Sequence, residues 1–202
     1  MEKIDIKLKS LPVLWTTCDK SKDRHAPMAA MLSKLGLQGQ MINGPITNPY
    51  PIGVSIGYKE ALTKYSPPFL ILEDDATLVN DVELQNIKIP VNSDAVYLGT
   101  SIYGRIKKST VGGGVIAANV DETYIRVFNM LSFHAVLYTS KNYVDHVVSL
   151  LDNFLVNPVG GADDCIAESM WQYNVYALKN PIFYQKDGRS DQATKIPINC
   201  LL

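Results

Sequence analysis

The chain has 202 residues, 47% hydrophobic and 19% charged, a balance that suits one folded globular domain and excludes a disordered chain. Its 19 basic and 20 acidic residues leave a net charge of -1, so no broad basic surface is expected and nucleic acid is not the expected partner. Three cysteines, Cys18, Cys165 and Cys200, are odd in number and far apart, which argues against a disulfide framework or a zinc cluster and for free thiols in the cytoplasm.

The N-terminal MEKIDIKLKS lacks the apolar stretch of a signal peptide, and no later run reaches the ~20 apolar residues of a transmembrane segment. Residues 11–17 (LPVLWTT) read as a short buried strand, and the polar CDKSKDR after them as a loop. Over residues 25–35, Met28, Leu32 and Leu35 recur at helical spacing, and Gly36 suits a C-cap. Residues 38–42 read as a second strand, which gives the order of a βαβ unit. Residues 43–53 are rich in Pro, Asn and Gly and read as a loop. A short helix is predicted over 54–65, ended by Pro67 and Pro68. The apolar run FLIL at 69–72 reads as a central strand covered on both faces.

Residues 79–94 show no period and are expected to be irregular. Strands are predicted at 95–98, 115–118, 124–128 and 135–138, with a glycine turn at 112–114. Ser140 caps a helix through Phe154, with Tyr143, Val147, Leu150, Leu151 and Phe154 on its apolar face. The tight loop 158–162 leads into a short helix that starts at Asp163 or Asp164 and runs to Trp171. Late strands follow at 174–178 and 182–184, and the tail has no clear period. Alternating elements first and strands later predict one α/β domain with a mixed sheet flanked by helices.

The most informative segment is FLILEDDATL, residues 69–78. A buried strand ending in Glu73-Asp74-Asp75 places three carboxylates where an open α/β sheet binds ligands. Acids this close repel unless a cation neutralises them, and Mg²⁺ or Mn²⁺ would share such oxygens with substrate phosphates. In an extended turn Glu73 and Asp75 would face one side and Asp74 the other. From the three acids alone a solvated turn with helix-capping acids is the favoured reading; the apolar strand before them shifts the balance toward a ligand site.

Other candidates surround this one. Asp163 or Asp164, after Gly160-Gly161, suits a general base for an acceptor hydroxyl, or an N-cap. Lys20, Lys22 and Arg24 are candidates for donor phosphates, with Arg24 preferred for its planar, bidentate guanidinium. Thr16 and Thr17 are candidates for the donor's base, and Lys59 for a phosphate. His134 reads as a metal ligand or as a satisfied core histidine, the second being preferred. No GxxxxGK[ST] loop, GxSxG elbow, HExxH or strand-borne GxGxxG is present.

The chain resembles the small GT-A glycosyltransferases of the lipopolysaccharide-type family 25 and the related glycosyltransferase domains of large algal (chlorella) viruses. The resemblance rests on LPVLWTTCDKSKDRHAPMAAMLSKLG, PIGVSIGYKEALTKY, FLILEDDATL, and FHAVLYTSKNYVDHVVSLL with PVGGADDCI and PIFYQKDGRSD, in that order. It implies a GT-A (Rossmann-like) fold, a UDP- or GDP-sugar donor, a glycan acceptor on protein or lipid, and Mn²⁺ or Mg²⁺. It places the family's DxD function on Glu73, Asp74 and Asp75, and its catalytic base at Asp163 or Asp164. The setting implied is the cytoplasm, the host's if the chain is viral. Two departures stand out: Glu73 replaces the first Asp, and PIGVSIGYKEALTKY lacks the Cys and Ser-His of bacterial members. The expectation is therefore hexosyl or deoxyhexosyl transfer, with a nucleotidyltransferase or a non-catalytic nucleotide-sugar-binding module as rivals.

Overall fold

The computed structural model describes residues 1–18, 21–79, 86–105 and 113–186. After a short strand, β1 (Lys3–Lys7), the chain enters the central sheet as β2 (Val13–Cys18), whose six residues are all buried. The helix α1 (Lys22–Leu35) returns along one face and buries Met28, Leu32 and Leu35. It ends at Gly36, whose φ of 64° lets its N–H reach back to the carbonyl of Ser33. The left-handed conformation costs glycine little, which explains the residue type at this cap. Strand β3 (Gly39–Gly44) then pairs parallel with β2, completing the βαβ unit.

The second helix, α2 (Tyr50–Lys64), begins at Tyr50 rather than at 54. Pro51 sits in its first turn, where a missing N–H costs nothing, and Thr47 Oγ1 accepts from the Gly53 N–H at 2.6 Å. A stretch whose composition reads as loop is therefore this helix's start. Helix α2 packs on β3 at backbone contact. A Cβ on Gly53 would lie 1.9 Å from the Pro45 carbonyl oxygen, and one on Gly57 2.9 Å from the Gly44 Cα. Strand β4 (Phe69–Glu73) follows, parallel to β2 on the side away from β3.

The later strands are β5 (Ala76–Leu78), β6 (Asn86–Pro90), β7 (Ala95–Tyr97), β8 (Tyr103–Gly104), β9 (Gly113–Gly114), β10 (Ile116–Asn119), β11 (Tyr124–Asn129), β12 (Ala135–Tyr138), β13 (Val175–Leu178) and β14 (Phe183–Gln185). Helices α3 (Lys141–Val156) and α4 (Ala162–Ala167) lie between β12 and β13. The eight-stranded mixed sheet has the order β10-β11-β13-β7-β12-β4-β2-β3. Strand β12 is antiparallel to both β4 and β7, and β13 is parallel to β7. Strand β6 corrects the expectation of irregular chain: Ile87 and Ile89 are buried between exposed Asn86 and Lys88, and the strand pairs antiparallel with β1.

Strand alternation builds the core as two layers. In β4, Phe69 and Ile71 join Leu14, Tyr58, Tyr138, Val147 and Leu151 beneath α2 and α3. Leu70 and Leu72 join Val13, Trp15, Met28, Leu32 and Leu137 beneath α1. The chain is thus a mixed α/β domain whose sheet is covered by helices on both faces. Ser140 caps α3 as expected, accepting from the Tyr143 N–H. No described helix is long and apolar enough to cross a membrane. Neither Cys18 nor Cys165 is disulfide-bonded among the described residues, and Cys200 and Lys20 lie outside them.

Candidate active site

From β2 the chain passes through α1 to β3 on one side, and through α2 to β4 on the other. At such a reversal of strand order the connections diverge, leaving a crevice beyond the carboxyl ends of the two strands. Thr16 on β2 pairs with Glu73 on β4, so 16–18 and 73–75 meet at this crevice. The Asp74 N–H extends the pairing, donating to the Thr16 carbonyl at 3.0 Å.

The strand ends at Glu73, and Asp74-Asp75 form a turn. The predicted alternation of acids therefore fails: one nitrogen of Arg24, Nη1, donates to Asp74 Oδ1 at 2.9 Å and to Asp75 Oδ2 at 3.2 Å. Thr17 Oγ1 donates to Asp74 Oδ2 at 2.6 Å and lies 3.0 Å from His25 Nε2. With its single proton given to Asp74, the threonine accepts from His25, which makes Nε2 the protonated ring nitrogen. The His25 ring also meets the Trp15 ring edge-on, with centroids 5.4 Å apart.

The ribbon of β5 and β14 brings in Gln185, whose Nε2 donates to Asp75 Oδ2 at 3.2 Å. The other oxygen, Asp75 Oδ1, is buried and has no hydrogen-bond partner among the described residues. Such an orphaned acceptor costs about 1–3 kcal/mol, and more if charged. Tyr50, at the start of α2, closes another side. Its hydroxyl lies 3.5 Å from Cys18 Sγ, and burial followed by that contact pushes the phenol up to about 12. These residues enclose a cavity of about 180 Å³.

Asp163 and Asp164 divide the roles left open in the sequence. Asp164 reaches back to the N–H of Gly161 at 2.9 Å, capping α4, and pairs with Arg105 at 3.6 Å. Asp163 is the acid whose charge bears on Glu73. Burial raises its carboxyl, and Asp164 adds to the effect. Burial, then the charges of Asp75, Asp163 and Asp74, hold Glu73 well above the usual carboxylate range, with Arg24 opposing. Asp75 is raised too, by burial, against Gln185 and Arg24. Arg24 itself is raised despite its burial, through its bond to Asp74 and the charges of both aspartates.

Two expected site residues lie elsewhere. Lys59 projects from α2 to an ion pair with Asp152 on α3, so it ties two helices together and takes no part in the crevice. The His134 ring belongs to the core: Nδ1 is 2.8 Å from Ser132 Oγ, and Nε2 lies where a Cβ on Gly99 would be 1.9 Å away. Burial lowers its pKa to about 4, against the Phe183 backbone. Its link to the site is through the main chain, where its carbonyl accepts the Glu73 N–H at 3.0 Å. Conversely, His25, Tyr50, Arg105 and Gln185 are contacts that local sequence did not single out.

The raised carboxyls have a stability consequence. The folded chain keeps protons there that the unfolded chain releases, so their contribution is fully present below the unfolded pKa values and lost as pH rises through the raised ones. Glu73→Gln keeps the shape and removes the charge. It is expected to raise Tm by a few degrees at neutral pH and to leave it unchanged at about pH 3, below the ordinary carboxylate range. Calorimetry across pH measures this; an equal shift at both ends would show that charge crowding is not the cause.

No family model matches this chain, and no curated protein matches it. The fold and the crevice define a mixed α/β domain with an acidic cluster at a reversal of strand order.

Proposed function

We propose that this chain is a GT-A-type glycosyltransferase that moves a hexose or deoxyhexose from a UDP- or GDP-sugar to a hydroxyl of a glycan acceptor on protein or lipid. The observation that carries the reading is Asp75 Oδ1, a buried carboxylate oxygen without a hydrogen-bond partner among the described residues, set among crowded acids at the carboxyl end of the sheet. The similarity of FLILEDDATL to the family's acidic run supports the same assignment.

The residues fit a hard divalent cation by donor chemistry, since oxygen ligands suit Mg²⁺ and Mn²⁺. Among the described residues no group of three or more acidic, histidine or cysteine side chains is placed to hold a metal ion. Mg²⁺ is commonly bound through one or two carboxylates together with substrate phosphates. Asp75, with Asp74, would hold it; when bound it supplies positive charge to the leaving diphosphate.

The chain's own groups do the rest. Thr16, Thr17 and Tyr50 line the cavity for the nucleoside, and Arg24 supplies donors for its phosphates. In an inverting reaction the acceptor oxygen bonds to the anomeric carbon, the bond from that carbon to the diphosphate oxygen breaks, and the hydroxyl proton passes to an Asp163 carboxylate oxygen. A raised carboxyl is better matched to that task than an ordinary one.

Calorimetric titration with UDP, GDP and their common sugars, with and without Mn²⁺, tests the reading. Expected are metal-dependent binding of one nucleotide and slow release of UDP or GDP from the matching sugar. Pyrophosphate release from a nucleoside triphosphate would point to nucleotidyl transfer, and binding without turnover to a binding module. A folded protein that binds none of these ligands would end the proposal.

A further inference from the structure

Arg24 holds the contacts that a cation at this turn would need. One nitrogen bridges Asp74 and Asp75, at 2.9 and 3.2 Å, so a single point of positive charge serves two carboxylates. Those carboxylates are anchored independently of it, Asp74 by Thr17 and Asp75 by Gln185. Their side chains are 9% and 10% exposed, whereas that of Arg24 is 37% exposed. The guanidinium does not reach every oxygen of the turn: Asp75 Oδ1 has no hydrogen-bond partner among the described residues.

Arg24, Asp74 and Asp75 together line the crevice cavity and a second cavity of about 650 Å³, which Pro27, Met28, Met31 and Leu78 also line. The acids are therefore anchored by other side chains and little exposed, while their counterion is a longer and more exposed side chain.

We propose that Arg24 is a tethered stand-in for the divalent cation: it holds Asp74 and Asp75 in the ligand-free protein, gives up their oxygens to the ion, and turns its released donors to the ligand's phosphates. This rests on the metal site proposed above. It adds that ion and phosphate binding are coupled through one side chain. The bare ion must displace the guanidinium, and the displaced guanidinium gains an anion only when the ligand is present. By linkage each ligand strengthens the other by the same factor. The protein thus binds free cation poorly and the ion with its diphosphate well.

The test is the affinity for Mn²⁺ alone, read from the electron paramagnetic resonance signal of the free ion. Arg24→Met keeps the aliphatic stem and removes the charge; Arg24→Gln is the second variant, and circular dichroism establishes that each is folded. Both are expected to bind Mn²⁺ about two- to fivefold more tightly than the unaltered protein, the scale of one lost, partly exposed ion pair. Adding Asp75→Asn to Arg24→Met is expected to remove that gain. Unchanged or weaker Mn²⁺ binding in both folded Arg24 variants, with the unaltered protein still binding, would overturn the competition and leave the metal site standing. No Mn²⁺ binding in any of them would overturn both.

Discussion

Asp75→Asn is expected to reduce metal-dependent release of nucleoside diphosphate by about a hundredfold or more, the scale seen when a preorganised electrostatic contact to a developing charge is lost. Asparagine has nearly the same shape, so packing around the turn is retained. What disappears is the charge on the buried Oδ1, which has no hydrogen-bond partner among the described residues, and on Oδ2, which accepts from Arg24 and Gln185. The raised carboxyl of Asp75 implies that its ionised form is costly in the ligand-free fold. The variant should therefore melt no lower than the unaltered protein at neutral pH. Loss of turnover with stability kept separates a functional acid from a structural one. Full metal-dependent turnover by Asp75→Asn would remove this residue from the mechanism.

The largest stability effect is expected at Gly53. A methyl group there would sit 1.9 Å from the Pro45 carbonyl oxygen and 2.9 Å from Thr47 Oγ1. The first is backbone and cannot rotate away, so α2 must lift from β3 to admit it. Overpacking of this kind costs about 1–3 kcal/mol, occasionally more, and Gly53→Ala is expected at the upper end of that range. Shifting the start of α2 also moves Tyr50, so nucleotide affinity should fall along with stability. Gly114→Ala is the control: its Cβ meets nothing within 4 Å among the described residues, and a change within about 0.5 kcal/mol is expected. Urea unfolding measures both, and equal midpoints for the two variants would contradict the packing argument.

Elements with a strong local period were legible in the sequence. The βαβ opening, the buried strand before Glu73 and the Ser140-capped helix all carry their own apolar pattern or cap within a few residues. Strand β6 was not legible, because Ile87 and Ile89 gain meaning only from a partner strand at the other end of the first half. The start of α2 was hidden by proline and glycine, which mark loops in general but here satisfy a first helical turn and a close backbone approach.

The acids of the site were legible as a run, but not their division of labour. Two adjacent aspartates look alike in sequence, yet Asp164 is the one engaged by Gly161 and Arg105, and Asp163 the one whose charge helps to raise Glu73. Gln185 meets Asp75 across 110 residues of sequence, through a ribbon that no local pattern announces. Lys59 illustrates the reverse: a cation near the acids in sequence is drawn by helix packing to Asp152 instead. Spacing along the chain identifies which groups are available, and tertiary pairing decides which of them meet.

The contact of Trp15 with His25 gives the molecule an internal optical label. The chain has two tryptophans; Trp15 is 6% exposed and Trp171 is 63% exposed, so their emission should separate into a blue and a red component. Only the blue one touches the chain of contacts from His25 through Thr17 to Asp74. Fluorescence of the unlabelled protein can therefore follow events at the acidic turn in real time, with Trp171 as a built-in reference.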